Sequence, residues 1–355
     1  MDDFVSRVLL KWYDTHKRPL PWRETRDPYM IWISEVILQQ TRVEQGTSYF
    51  LNFSRRFPDV KSLASAHEDE VMRYWQGLGY YSRARNLHRA AKDIMERFGG
   101  VFPEKYEEVL SLKGIGEYTA AAICSISYHQ PYPAVDGNVF RVLSRLFAVD
   151  TPIDSGPGKK LFTQLAGELL NPESAGDYNQ ALMEFGALQC VPKSPDCGIC
   201  PLSDRCAAFL QHKVSFFPVK QGKLKSKDRY FNYFRVRQGD FIYLNKRIGN
   251  DIWKGLYEFP LIETKVSSTF EEVSRSSRFK EMFSGLDEVT INPNGYSRRH
   301  ILSHQIIHAE FYDISIFGSN DYFDGLMKVS RQDLERYAFP KLILGYSEKD
   351  FKRIK

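Results

Sequence analysis

The chain has 355 residues, 26% of them charged and 43% in the hydrophobic set, a balance that suits a globular protein of two domains, each with its own core. No apolar run is long enough to cross a bilayer, which excludes a membrane-spanning protein. The excess of 49 basic over 44 acidic residues, a net charge of +5, admits nucleic acid as a partner without demanding it.

Charge runs through the first twenty residues (Asp2, Asp3, Arg7, Lys11, Asp14, Lys17, Arg18) with no apolar signal core. A cytoplasmic or otherwise intracellular, reducing environment is therefore expected, and disulfides are not. Residues 1–210 are predicted to be helix after helix. Arg18-Pro-Leu-Pro-Trp22-Arg23 is a rigid, proline-fixed segment with an aromatic ring and two guanidinium groups; it suits either a nucleic-acid contact or a packed N-terminal arm. Asp27-Pro28 is a helix start, followed by apolar residues at Trp32, Ile33, Val36, Ile37 and Val43 with helical spacing. Glu35 falls on that helix with Gln39 and Arg42 on its polar side, where an ordinary surface carboxylate would also be found. Residues 76–86, QGLGYYSRARN, place glycines, tyrosines and arginines at a loop-to-helix junction, the mixture that hugging a backbone and stacking on bases requires.

In Leu112-Lys-Gly-Ile-Gly-Glu-Tyr118-Thr-Ala-Ala-Ala-Ile123 a helix ends, Gly114 and Gly116 form a tight hairpin, and a small-residue helix begins at once. Free backbone N–H groups at such a helix start can hold a phosphate without reading sequence, although the same motif also serves as a packing joint. Asp136, in Pro131-Tyr-Pro-Ala-Val-Asp-Gly-Asn138, is expected to cap the next helix, and a carboxylate there is favoured in its ionised form.

Four of the five cysteines, Cys190, Cys197, Cys200 and Cys206, follow the spacing C-x6-C-x2-C-x5-C within one loop. Four thiolates this close suit one compact centre, an iron–sulfur cluster ahead of zinc, because only one C-x2-C knuckle is present. The fifth, Cys124, lies in the apolar run AAAICSIS and reads as a core thiol. Residues 211–228 are a basic linker with Lys213, Lys220, Lys223, Lys225 and Lys227. From residue 229 the pattern changes to short β runs, Tyr230–Val236, Phe241–Lys246 and Ile252–Pro260, which predict an α/β module with a mixed sheet.

SEVILQQT around Glu35, LKGIGEYTAAAI, VDGNV around Asp136, YNQALMEFGALQC and the four-cysteine loop occur together and in order. In this the chain resembles the adenine DNA glycosylase (MutY) family of helix-hairpin-helix base-excision enzymes, over nearly its whole length. The resemblance implies an N-terminal all-α helix-hairpin-helix DNA glycosylase fold over residues 1–210 with an iron–sulfur cluster loop at 190–206. A C-terminal α/β Nudix-like lesion-recognition domain then covers 229–355. It further implies one 4Fe-4S cluster on Cys190, Cys197, Cys200 and Cys206, and double-stranded DNA with A:8-oxoguanine or A:G mispairs as substrate; a monomer is expected.

The resemblance also carries roles. Glu35 matches the general acid that protonates a flipped adenine, and Asp136 the carboxylate that offsets a sugar cation. Tyr118 and Asn138 match assisting positions, Gln180 a site contact on the DNA, Gln40 a gap filler and Tyr80 a wedge. DNA contacts are expected from Arg18, Trp22, Arg23, Leu38, Gln39, Gly79, Arg83, Gly114 and Gly116. In the loop His300-Ile-Leu302-Ser303-His304, Ser303 would accept from the N7–H of 8-oxoguanine, with His300 nearby and Leu302 where the family has phenylalanine. Endonuclease III-like enzymes, which also cut the strand, need a lysine where this chain has Tyr118. A nucleotide hydrolase would need a Gly-x5-Glu-x7-Arg-Glu-x2-Glu-Glu array, which does not follow Gly255. With Glu35 and Asp136 both in place, a non-catalytic iron–sulfur DNA-binding protein is disfavoured.

Overall fold

The computed structural model describes residues 4–222 and 226–351, so Lys223 and Lys225 of the basic linker lie outside the described residues. The chain runs through α1 (Phe4–His16), α2 (Pro28–Leu38), α3 (Val43–Arg56), α4 (Val60–Ser65), α5 (Glu68–Tyr74) and α6 (Ser82–Phe98). It continues through α7 (Tyr106–Ser111), α8 (Glu117–Tyr128), α9 (Gly137–Leu146), α10 (Gly156–Leu169), α11 (Ala175–Leu188) and the short α12 (Ala207–Leu210). The strands are β1 (Lys227–Gln238), β2 (Phe241–Lys246), β3 (Tyr257–Glu258), β4 (Leu261–Thr264), β5 (Glu288–Ile301), β6 (Gln305–Phe317) and β7 (Met327–Ser330). Between and after them come α13 (Phe270–Ser274), α14 (Ser277–Phe283), α15 (Asp321–Asp324) and α16 (Lys341–Phe351). No helix among the described residues is long and apolar enough to cross a membrane.

Contacts divide the chain into two units, one holding the residues up to Ser65 together with Asn86–Gly222, the other holding Ala66–Arg85 and the chain after Gly222. The first unit is helical. Its core joins Leu9 and Trp12 of α1 to Val139 and Leu143 of α9, Phe162 of α10, and Tyr178 and Phe185 of α11, with Trp12 and Phe185 in edge contact at 5.0 Å. Two glycines let α11 approach its neighbours closely: a Cβ on Gly176 would fall 2.6 Å from the Ser125 carbonyl oxygen, and one on Gly186 would fall 2.6 Å from the Asn138 Cβ.

Local chemistry sets the helix that carries Glu35. Asp27 caps α2 by accepting from the Tyr29 N–H at 2.9 Å, and Pro28 fixes the first turn. The helix is shorter than the apolar spacing suggests. It stops at Leu38, Gln40 takes a left-handed φ of 56°, and Arg42 caps α3, so Val43 belongs to the next helix. Gln39 and Arg42 thus flank a turn and do not share a helical face with Glu35.

The second unit is a mixed sheet. Its strand order is β3-β2-β1-β6-β5, with β4 added on β1 and β7 on β2. β1 and β6 pair in parallel, and the other pairs are antiparallel. Only Tyr257–Glu258 of the predicted 252–260 run is a strand, because Trp253 and Gly255 adopt positive φ of 58° and 81° and turn the chain first. The segment Ala66–Arg85 is anchored to this sheet by polar contacts: Lys246 Nζ to Asp69 at 2.6 Å, Tyr257 OH to Asp69 at 2.9 Å, and the Phe339 N–H to Gln76 at 2.9 Å.

Candidate active site

Glu35, Tyr118, Asp136, Asn138 and Gln180 line one cavity of about 510 Å³ in the helical unit, together with Arg18, Trp22, Arg23, Leu38, Gln39 and Gln40. Helices α2, α8, α9 and α11, the segment before α2 and the turn after it supply these residues. Glu35 is 8% exposed and is no surface carboxylate. It accepts a hydrogen bond of 2.5 Å from the Tyr118 hydroxyl, which also lies 3.3 Å from the Met183 sulfur. Burial raises the Glu35 carboxyl from 4.5 to about 7, with the nearby Asp136 charge pushing the same way and the Tyr118 bond and Arg23 pulling back. Such a group exchanges its proton near neutrality. The Tyr118 phenol is pushed well above its usual value by burial and by Glu35, so it remains a hydrogen-bond donor.

Asp136 caps α9 as expected. Its Oδ1 accepts from the Asn138 and Val139 backbone N–H groups at 2.9 and 2.8 Å, and its Oδ2 from the Asn138 side-chain amide at 2.7 Å. The helix start by itself points to a lowered carboxyl. Burial nevertheless outweighs the three cap bonds and Arg141, and the net displacement is upward. Each carboxylate has a guanidinium nearby, Arg141 for Asp136 and Arg23 for Glu35, so the difference lies in their hydrogen bonds: three donors favour the charge of Asp136, whereas Glu35 has one. Arg141, one turn into α9, bonds Asn138 Oδ1 at 2.8 Å and the Cys190 carbonyl oxygen at 2.8 Å, so the same helix holds the Asp136 cap and the cysteine loop.

Sequence reasoning missed Glu184. This residue of α11 is 1% exposed, lines the cavity, and receives both guanidinium groups: Arg18 at 2.8 and 2.6 Å and Arg23 at 2.9 and 2.8 Å. Burial pushes its carboxyl up, but the bonds from Arg18 and Arg23 outweigh that and hold it at about 2. The signal that could have found it is the pairing of two arginines in a proline-fixed arm with the one acidic residue in the apolar second half of α11, ALMEFGAL. Arg18 and Arg23, expected on DNA, face Glu184 instead, and Trp22 is buried in edge contact with Phe50 at 5.4 Å. A buried carboxylate needs such partners more than a solvated phosphate does.

Beside this cavity, Gly114 takes φ 84° and lies against Asn86, where a Cβ would meet the Asn86 Cβ at 2.6 Å, while nothing lies within 4 Å of a Cβ on Gly116. Gly116 is the N-cap of α8, with no side chain closing that helix start.

The four cysteines form a second centre. Cys190, Cys197, Cys200 and Cys206 line one cavity with Val142, Arg145 and Phe185, and all are free thiols. Among the described residues no three His, Cys, Asp or Glu side chains are gathered closely enough for a single ion; the thiols ring a space instead. Burial raises the Cys200 thiol to about 11, and Cys190, Cys206 and Cys197 push the same way against a backbone N–H of Leu202. Thiols held against one another need a positively charged centre to ionise together, and Arg145 already supplies one cation 3.4 Å from the Cys190 sulfur. The donor set therefore fits an iron–sulfur group. Cys124 lies apart, fully buried in α8.

The remaining expected residues belong to the sheet unit. Gly79 and Tyr80 both take positive φ, and Arg83 lies over the rings of Trp75 and Tyr80 at 5.2 and 5.6 Å. Leu302, Ser303 and His304 form the β5–β6 hairpin turn, closed by the Leu302 N–H on Gln305 at 2.8 Å. Ser303 and His304 are exposed, Leu302 packs on the sheet core, and the Ser303 hydroxyl is hydrogen-bonded to the hydroxyl of Tyr80. His300 is held below its ordinary value by burial and by Arg298 and Lys341.

A helical unit that gathers Glu35, Asp136 and Glu184 in one cavity, starts one wall helix from a glycine hairpin and carries a four-cysteine loop defines the class of base-excision DNA glycosylases with an iron–sulfur centre. The comparisons agree: residues 33–172 match the HhH-GPD superfamily base excision DNA repair protein, residues 190–206 the iron-sulfur binding domain of endonuclease III, and residues 232–348 a NUDIX domain. The adenine DNA glycosylase of Buchnera aphidicola subsp. Schizaphis graminum is 36% identical over 267 residues, 74% of this chain and 76% of that protein. That of Mus musculus is 31% identical over an alignment of 360 residues, 87% of this chain and 70% of that protein. Among solved structures, a thermostable thymine-DNA glycosylase superposes with a TM-score of 0.55 at 28% identity, covering 59% of this chain and 96% of that one. The chain belongs to the adenine DNA glycosylase family.

Proposed function

We propose that this chain removes adenine paired with 8-oxoguanine or guanine in duplex DNA, as a monofunctional glycosylase of base-excision repair working inside the cell. The observation that carries the reading is the buried pair Glu35 and Tyr118 in one cavity with Asp136. Adenine must leave the helix to reach that cavity; Gln40 would serve as gap filler and Tyr80 as wedge. Glu35, a carboxyl that holds its proton near neutrality, donates it to a ring nitrogen of adenine. The N-glycosidic bond then breaks, its electron pair leaves with the base, and the Asp136 carboxylate offsets the positive charge on the sugar. Water adds to the sugar carbon, and its proton passes to the Glu35 carboxylate, which restores the acid. Tyr118 keeps Glu35 in place and offers no amine, so no Schiff base forms and the strand stays intact. Gln180 is the polar group that would meet the base edge, with Glu184 holding Arg18 and Arg23 in the wall behind it, and the N-terminus of α8 would hold a phosphate.

Cys190, Cys197, Cys200 and Cys206 would hold one 4Fe-4S cluster, whose iron supplies the positive centre that lets four thiolates coexist. Residues 229–355 would read the partner base. There Ser303 accepts from the N7–H of 8-oxoguanine, with Leu302 and His300 beside it, and the contact between Ser303 and Tyr80 supports this by joining the reader to the wedge. Hydrolysis by this unit is not favoured, since Asp251, Glu263 and Glu258 are already bonded to Arg229 and Arg247. The test uses duplexes with single A:8-oxoguanine, A:G and thymine glycol sites. Adenine release with strand breaks only after alkali, lost in Glu35→Gln and Asp136→Asn, supports the reading; near wild-type single-turnover rates in either variant refute it. Ser303→Ala should lower the preference for A:8-oxoguanine over A:G, and an unchanged preference places the lesion contact elsewhere.

A further inference from the structure

A second cavity of about 170 Å³ shares Arg23, Ile126 and Gln180 with the catalytic one. Its other walls are its own: Thr25, Arg26, His129, Glu173, Ser174 and Asp177, while Glu35, Tyr118 and Asp136 take no part in it. The shared side is sheltered, with Ile126 buried and Arg23 and Gln180 half-buried. The far side is open, with Arg26, His129, Glu173 and Asp177 exposed. The cavity therefore runs from the partition of the catalytic cavity to solvent.

A flipped base enters the catalytic cavity with its sugar still in the DNA strand, so a second opening would let the free base leave while the abasic strand still occupies the mouth. Product release is a common limit on turnover. We propose that this second cavity is the exit through which free adenine leaves while abasic DNA is still bound, an inference that rests on the adenine glycosylase reading above.

Size and chemistry both fit. At about 170 Å³ the cavity is close to the ~150 Å³ that takes up an aromatic ring in a protein core, the size class of a single base. Carboxylates at Glu173 and Asp177 can accept from the exocyclic amine, and Arg26 beside His129, 2.9 Å between Nη1 and Nδ1, offers a donor to ring nitrogens. This mixed lining suits a neutral polar heterocycle, and its two carboxylates oppose a phosphate. Gln180 is the movable part of the partition. The bond it accepts from the Tyr13 hydroxyl is long, at 3.4 Å, so its amide turns at small cost.

The test follows base and strand separately in a single turnover, with labelled adenine in an A:8-oxoguanine duplex. Total cleavage is read by chemical quench, and adenine retained on the protein–DNA complex by rapid gel filtration. In the wild-type protein, adenine should appear free while the abasic strand still elutes with the protein. Ser174→Trp fills the cavity, and Ser174 makes no side-chain cap bond that would be lost. It should leave quenched cleavage unchanged and slow the appearance of free adenine by about tenfold or more, to the rate at which DNA departs. Glu173→Trp on the exposed rim should do the same and decides the matter if Ser174→Trp fails to cleave. Adenine that stays with the wild-type complex until the DNA leaves, or that escapes equally fast from the filled variants, overturns the exit. Absence of adenine even after quench would overturn the glycosylase reading itself, a different outcome.

Discussion

Glu35 makes a prediction that can be followed from burial to rate. Its carboxyl is raised by burial from 4.5 to about 7, which corresponds to roughly 3 kcal/mol between its two protonation states. If the protonated form is the catalytic one, the single-turnover rate is level below neutrality and falls about tenfold per pH unit above about 7.5. On the acid side it falls as Asp136 gains a proton, above the ordinary aspartate range because burial raises that carboxyl too. The same displacement fixes the sign of a stability effect. Between 4.5 and about 7 the folded state binds more protons than the unfolded one, so stability declines as pH climbs through this window and the full cost is present above it. Glu35→Gln keeps the shape and an acceptor for the Tyr118 hydroxyl but cannot ionise. Calorimetry should therefore find it more stable than the wild-type protein at pH 8, by up to about 3 kcal/mol, with the gain vanishing as pH approaches 4.5. A rate that stays level to pH 9, or a Glu35→Gln variant less stable than wild type at pH 8, refutes the assignment of Glu35 as a buried, late-titrating acid.

Glu184→Gln removes the charge that holds two sheltered guanidinium groups, and thermal unfolding should register a loss of about 3 kcal/mol or more. Gly186→Ala brings a methyl group to 2.6 Å from the Asn138 Cβ, so it should cost about 1–3 kcal/mol in unfolding experiments and slow adenine release by disturbing the Asp136 cap. Purified protein should be brown, with about four iron and four sulfide per chain. Cys124→Ser should leave that colour intact, since this thiol is buried in α8 away from the loop, whereas stoichiometric zinc without iron after anaerobic purification would defeat the cluster.

The features legible in the sequence are those that neighbouring residues control. Asp27 and Asp136 cap their helices through N–H groups two or three residues away, so the starts of α2 and α9 were legible. The hairpin before α8 and the strand Phe241–Lys246 were legible for the same reason, and the cysteine spacing carries its chemistry in seventeen consecutive residues, 190–206. Tertiary structure decided the rest, because charge state and partner choice depend on groups remote in sequence. Tyr118 lies 83 residues from Glu35, and burial there turns an unremarkable carboxylate on a helix into an acid that titrates near neutrality. Arg18 finds Glu184 across 166 residues, a partner that its proline-fixed arm does not announce. The association of Ala66–Arg85 with the sheet unit hangs on Asp69 meeting Lys246 and Tyr257, 177 and 188 residues on. No local pattern records such pairs, since each requires two distant segments to be desolvated together, and only the folded chain brings them within reach.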